Sequence, residues 1–324
     1  MPTPWSAFFQ VVDRNTLALP AAPLLQRSLI APLDHCALLQ LEGTDSARFL
    51  QGQLTCDVYA LTPERASLAA HCTPKGRMVT AFELARRDSD RFWLRLRADL
   101  AEPTTRQFGK YLPLYRKAKL SDLDQHVVFG LAGPAAAGLL QNHFGTCPDG
   151  AQAARVAGDA ELIQLDASGE RFECWLPAAA AADLWQAALQ QALTPAHGDC
   201  WRWLLIRAGI AELEAATSEL FIPQMVNYPE LGAVSFSKGC YTGQEIIARA
   251  HYRGQVKRHL IRAGCDAPAP AAGSELLDAN GRAAGQVVDA VALTDGRCEL
   301  LAVVGDATSL RTPDGRLLQA EPAS

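Results

Sequence analysis

Residues 37–51 (ALLQLEGTDSARFLQ) and 127–141 (VVFGLAGPAAAGLLQ) align without a gap, sharing Leu41 with Leu131, Gly43 with Gly133, Ala47 with Ala137, Leu50 with Leu140 and Gln51 with Gln141. Each reads strand, turn, helix. Hairpin material follows both, at 67–71, 77–86 and 91–97 in the first copy and at 161–166 and 171–176 in the second. A second helix closes each copy, at 98–111 and 178–193. The pattern predicts two related β-α-β-β-α units, sheets with helices layered on one face. From Arg253 onward the texture changes to short alternating strands broken by Asn280-Gly281, Asp295-Gly296 and Asp314-Gly315. That spacing predicts a small antiparallel β-barrel or sandwich. The Ala/Pro-rich stretch 267–272 reads as a loop inside that domain. The fold class expected is therefore α+β in three parts: 1–120, 121–250 with a connector and one further helix, and 251–324.

A chain of 324 residues exceeds what one core usually fills, in keeping with several domains. Its formal net charge of −5 offers no overall attraction to nucleic acid, so any such role needs a local patch. One patch exists: Arg249, Arg253, Lys257, Arg258 and Arg262, with His251 and His259 interleaved, which reads equally as a solvated face or an anion site. Nine cysteines with no C-x-x-C pair argue against a disulfide framework and against a zinc ribbon or ferredoxin-type cluster. Residues 1–13 lack a basic region before an apolar core, and the longest apolar stretch, 127–140, is too short to span a bilayer. A cytoplasmic protein without membrane association is expected.

The sharpest chemical signal is Lys238-Gly239-Cys240-Tyr241-Thr242-Gly243-Gln244-Glu245. Thr242 and Glu245 fit a capping box ahead of the apolar helical run 246–250. Cys240 thus stands near a positive helix end and beside Lys238, both of which favour a thiolate. The other eight cysteines, Cys36, Cys56, Cys72, Cys147, Cys174, Cys200, Cys265 and Cys298, read as small buried hydrophobes. His197-Gly198-Asp199-Cys200 carries ligand types at metal-like spacing, but with no second pair nearby a helix cap by Asp199 is expected and no metal site. Thr73-Pro74-Lys75-Gly76-Arg77 reads as a hairpin turn, since the phosphate-loop order is absent. The connector 206–236 holds Phe221-Ile222-Pro223-Gln224, Asn227 and Tyr228, more polar and aromatic residues than a plain linker needs.

These residues resemble the YgfZ family, folate-binding relatives of the glycine-cleavage T-protein that act in iron–sulfur protein maintenance. The resemblance is densest over 238–249 (KGCYTGQEIIAR) and includes Phe221-Ile222-Pro223-Gln224, Val234-Ser235-Phe236, Arg253-Gly254 and Lys257-Arg258. Phe49-Leu50-Gln51-Gly52-Gln53-Leu54-Thr55, Asp57-Val58 and Pro74-Lys75-Gly76-Arg77 follow the family order too. It implies two α+β domains and a C-terminal β-barrel in a ring around a central cleft for a reduced folate. It also implies that Cys240 is the essential thiol, with Lys238, Tyr241, Gln244 and Glu245 beside it. Gln244 or Glu173 suits the pterin edge, Tyr241 could pack on the pterin, and Arg249, Arg253 or Lys257 suits the glutamate tail.

Two departures stand out, the first from the aminomethyltransferases and the second from the family pattern. Arg77-Met78-Val79-Thr80 follows Gly76 where those enzymes place aspartates, so glycine-cleavage chemistry is not expected despite a shared fold. Leu205 occupies the position where the family has an arginine, two residues before Arg207. The leading expectation is a tetrahydrofolate-binding accessory protein that uses Cys240 in assembling or repairing iron–sulfur clusters of client enzymes, including those that thiolate tRNA. Its partners would be folate and those clients or their assembly proteins, with no direct nucleic-acid contact and no stable metal. Alternatives are a folate-dependent one-carbon transferase and a tRNA-binding factor working through residues 249–262.

Overall fold

The computed structural model describes residues 3–254, 256–266, 268–306, 309–312 and 314–322. Ala267, the first residue of the predicted Ala/Pro-rich loop, lies outside them, as do Met1 and Pro2. The chain divides into two compact units, one comprising Met1–Phe49, Tyr59–Ser67 and Glu83–Trp201, the other Leu50–Val58, Leu68–Phe82 and Arg202–Ser324. It passes from one to the other between Phe49 and Leu50 and between Phe82 and Glu83, among other places.

After the short helix α1 (Phe8–Val11) and strand β1 (Leu29–Pro32) comes the first repeat. It consists of β2 (Cys36–Glu42), α2 (Ser46–Gln53), β3 (Ser67–Cys72), β4 (Met78–Arg86), β5 (Arg91–Arg97) and α3 (Ala101–Gly109), and β6 (Lys119–Asp122) follows. The second repeat runs β7 (His126–Ala132), α4 (Ala136–Phe144), β8 (Ala153–Ala157), β9 (Ala160–Gln164), β10 (Arg171–Pro177) and α5 (Ala181–Gln190). Then come β11 (Thr194–Pro195) and α6 (Gly198–Arg207). Both predicted second helices open with a 3₁₀ turn, Ala98–Leu100 and Ala178–Ala180. The sheet orders, β3-β4-β5-β2-β6 and β11-β1-β7-β10-β9-β8, place equivalent strands of the two repeats in the same succession.

Why the two copies share Gly43 and Gly133 is now physical. Both glycines are left-handed, with φ of 109° and 90°. A Cβ on Gly43 would meet the Lys117 carbonyl oxygen at 1.9 Å, and one on Gly133 would meet the Arg27 carbonyl oxygen at 2.7 Å. Only glycine lets strand turn into helix there without a clash. The sequence pattern missed β8 and β1. β1 pairs antiparallel with β7, from Leu29↔Ala132 to Pro32↔Phe129, the place β6 takes beside β2 in the first sheet. That exchange across the chain leaves no local signal.

One hydrophobic cluster of the first unit gathers on the second repeat. Trp5 and Phe8 from the N-terminal segment meet Phe129 and Trp185 edge to face, with Trp5–Phe129 and Phe8–Trp185 centroids at 5.1 and 5.2 Å. Such contacts add about 0.5–1.5 kcal/mol beyond area burial. Two buried ion pairs sit in the same unit: Arg87 with Glu161 at 2.9 Å and Arg95 with Glu173 at 2.9 Å.

In the second unit α7 (Gln244–Arg253) precedes β12 (His259–Cys265), β13 (Glu275–Leu277), β14 (Ala283–Ala292), β15 (Cys298–Val304) and β16 (Gln319–Pro322). The predicted antiparallel domain is present, with Gly281, Gly296 and Gly315 in its turns. Among the described residues, however, its ladder is a five-stranded sheet in the order β13-β14-β15-β12-β16 and not a closed barrel. Among the described residues the two edges are connected only by isolated bridges, Leu277↔Arg311 and Arg311↔Leu317. A bulge between Val287 and Asp289 bends β14, and Arg202 pairs with the Asp289 carboxylate.

Candidate functional site

The site around Cys240 is built from four segments far apart in sequence, all within the second unit. Residues 233–243 run beside the end of α2. The Thr55 hydroxyl donates to the Ala233 carbonyl at 2.6 Å, the Ser235 amide donates to the Thr55 carbonyl at 2.9 Å, and the Thr242 amide donates to the Gly52 carbonyl at 3.1 Å. Lys238 completes the attachment. Its ammonium donates to the carbonyls of Leu54 and Cys56 at 2.8 and 2.7 Å and lies 5.0 Å from the centroid of the Tyr241 ring. The residue is only 8 % exposed, and burial lowers its pKa from 10.5 to about 8, the charges of Cys56 and Asp57 opposing that fall. Lys238 is thus a structural tie, a task its place beside a cysteine did not announce.

The predicted Thr73–Arg77 turn forms, closed by Gly76 N–H to the Thr73 carbonyl at 2.8 Å, and it abuts the start of α7. Gly243 has φ of 87°, and a Cβ there would stand 2.5 Å from the Thr73 carbonyl oxygen. Gly243, not Thr242, is the N-cap, and no side chain caps the helix. The expected capping box is therefore absent. The turn presses so close that the cap position admits only a left-handed glycine, and Glu245 instead points along the helix to Arg249 at 3.7 Å. The connector supplies the third attachment: Met78 N–H donates to the Phe221 carbonyl at 2.8 Å, and the Gln224 amide donates to the Ile247 carbonyl at 2.7 Å.

Cys240 is exposed, alone among the nine free cysteines. Six are buried, whereas Cys36 and Cys147 are half-buried, a departure from the uniform burial expected of the other eight. Burial pushes the Cys72 thiol up and the Cys200 thiol up to about 12, so these stay protonated and inert. Tyr241 is buried, its phenol pushed up by burial, and among the described residues its hydroxyl has no hydrogen-bond partner; the Gln224 Oε1 is likewise buried and unpartnered among them. The Gln244 Oε1 accepts from the Tyr241 amide at 3.4 Å. Glu245, Arg249 and Arg253 are exposed on α7, with Tyr252, around a shallow depression, and Lys257 is exposed in the following segment.

Glu173 belongs to the other unit. It is fully buried and held by Arg95 at 2.9 Å and by the Trp175 indole N–H at 2.8 Å. Arg207 pairs with Glu299 at 2.8 Å. Asp199 lies inside the first turn of α6, its amide bonded to His197 Nδ1 at 3.2 Å, so it is a first-turn residue where a cap was expected. Sequence reasoning missed Leu54, Cys56 and Gln224 as parts of the site. The runs around Gly52 and Pro223 carried the signal, without saying that they meet. Among the described residues no group of three or more His, Cys, Asp or Glu could hold a metal ion, and no helix is long and apolar enough to cross a membrane.

Fold and site together define an aminomethyltransferase-like protein whose accessible chemistry is a thiol. The fold is that of the glycine cleavage system aminomethyltransferase T from Bartonella henselae, with a TM-score of 0.76 at 17 % identity over 98 % of this chain and 96 % of that one. Residues 26–193 match the family model described as GCVT N-terminal domain. The chain is 36 % identical over 305 residues to the tRNA-modifying protein YgfZ of Shigella sonnei, covering 93 % of this chain and 91 % of the relative. It is 37 % identical over 295 residues to the protein of that name from an Enterobacter species, covering 90 % and 88 %. The chain belongs to the YgfZ family.

Proposed function

We propose that this chain is a tetrahydrofolate-binding accessory protein that uses Cys240 in assembling or repairing iron–sulfur clusters of client enzymes, including those that thiolate tRNA. The observation that carries the reading is the exposed Cys240 on a loop tied down by the buried Lys238. A fixed, accessible thiol can ligate iron, accept a sulfur atom or exchange with a disulfide, whereas one cysteine cannot hold a cluster that wants four ligands. Contact with a cluster is therefore shared with the client and transient. The tRNA-modifying name of the relatives agrees with clients of that kind.

The residues present fit a folate. Tyr241 and Gln224 offer buried polar atoms without partners among the described residues, the needs of a pterin edge, while Arg249, Arg253 and Lys257 supply the cations that glutamate carboxylates require. Gln244 stands beside them. A pterin at Glu173 would have to compete with Arg95 for the carboxylate. When bound, a tetrahydrofolate supplies a reduced pterin able to carry one-carbon units; this chain's part is to bind and orient it.

The test is calorimetric titration of tetrahydrofolate and 5-formyltetrahydrofolate into the wild type and Cys240→Ala, with client activation measured alongside. Binding by both proteins and loss of activation by the variant are expected. No binding by the wild type overturns the folate reading. Folate turnover with an amine donor, indifferent to Cys240, overturns the accessory role in favour of a one-carbon transferase. Salt-sensitive tRNA binding through residues 249–262 overturns the expectation of no direct nucleic-acid contact.

A further inference from the structure

Two of the cysteines expected to be inert are direct cross-strand partners. Cys265 ends β12, Cys298 begins β15, and the two stand opposite each other in the antiparallel register. Residues so paired have Cα atoms about 4.5–5.5 Å apart, inside the roughly 4.4–6.8 Å that a disulfide spans. Their sulfur atoms lie 3.1 Å apart. Joining them takes rotation of side chains and no rearrangement of the sheet.

A pair sealed in the core would have no oxidant. This pair borders a cavity of about 350 Å³ that is also lined by Arg207, Arg262 and Arg297. The three guanidiniums pair with Glu299, Glu321 and Asp295, and Asp266 also lines the cavity, so its walls are polar and carry both signs of charge. Cys265 is 6 % exposed and Cys298 1 %, so Cys265 is the thiol an entering molecule meets first.

We propose that Cys265 and Cys298 form a second thiol site, separate in chemistry from Cys240, that a small polar disulfide of the glutathione class, bearing both ammonium and carboxylate groups, converts to an intramolecular disulfide. In the first step the Cys265 sulfur attacks the reagent, forming a mixed disulfide and releasing one thiol with the Cys265 proton. In the second, the Cys298 sulfur attacks the Cys265 side of the mixed disulfide, and a second thiol leaves with the Cys298 proton. The two protein thiols are oxidised, and one disulfide is reduced to two thiols. The product ties the end of β12 to the start of β15. Burial, with Cys265 alongside, pushes the Cys298 thiol up to about 12, so the second step is slow at neutral pH and quickens as pH rises.

The experiment treats fully reduced full-length protein with glutathione disulfide at several pH values, quenches with acid and alkylating agent, and maps peptides by mass. Expected is a linked pair of peptides carrying Cys265 and Cys298, short of two hydrogens, while Cys240 carries a glutathione adduct. The linkage rate should rise about tenfold per pH unit, following the thiolate fraction. Cys298→Ser should halt Cys265 at the mixed adduct. Recovery of Cys265 and Cys298 as free thiols after Cys240 has reacted completely would overturn the proposal, as would separate adducts on each. The wild-type map decides this even if the variant does not fold.

Discussion

Lys238→Met removes an ammonium while keeping the length of an apolar stem, and its effect on stability should change with pH. The lost bonds to the Leu54 and Cys56 carbonyls, at 2.8 and 2.7 Å, are charge-assisted and worth about 1.5–3 kcal/mol each. Against them stands the cost of burying the charge. A fall in pKa from 10.5 to about 8 corresponds to about 3 kcal/mol. The net loss at pH 7 is therefore modest, about 0–3 kcal/mol.

The sign of the pH dependence follows from linkage. Between the folded value near 8 and the unfolded value near 10.5 the unfolded wild type binds more protons, so its stability rises with pH. That contribution is present above the unfolded pKa and is lost as pH falls through about 8. From pH 7 to about 9.5 it amounts to about 2 kcal/mol, and the variant lacks it. Urea unfolding of both proteins at each pH measures the gap, and titrations common to the two cancel in the difference. The gap should widen with pH. A constant or narrowing gap would refute the reasoning, because it would mean that folding does not hold the Lys238 pKa below its unfolded value.

Limited iodoacetamide labelling with mass mapping should find Cys240 modified well before the other eight cysteines; equal rates would contradict its singular exposure. Gly243→Ala should cost about 1–3 kcal/mol or more by urea unfolding, because the position is left-handed and its Cβ would crowd the Thr73 carbonyl. Gly239→Ala, with nothing within 4 Å of the added carbon, should stay within about 0.5 kcal/mol of the wild type. Arg95→Met should destabilise by about 3–5 kcal/mol, since it leaves the buried Glu173 carboxylate uncompensated. Adding Glu173→Leu to that variant should recover much of the loss, measured in the same way.

Local pattern alone determined the repeated strand–turn–helix units, the antiparallel strands after Arg253, the Thr73–Arg77 turn and the singling out of Cys240. Each of these rests on signals a few residues wide: glycine where a turn needs it, alternation where one face is buried, and one cysteine among charged and glycine neighbours. Tertiary structure decided what no window contains. The place of β1 beside β7 depends on pairing across about a hundred residues, and whether the C-terminal strands close a ladder depends on how its edges meet. Lys238 shows the reason most clearly. From sequence it is a cation beside a thiol, but its charge is spent on the carbonyls of Leu54 and Cys56, which folding brings within 3 Å. Gly243 was legible as a flexible residue, yet only the approach of Thr73 made it the cap in place of Thr242. Cys265 and Cys298 were two ordinary apolar positions until the β12–β15 register set their sulfur atoms side by side. Backbone conformation is written in nearest neighbours, whereas the partners of buried polar and thiol groups are set by contacts that exist only once the chain has closed on itself.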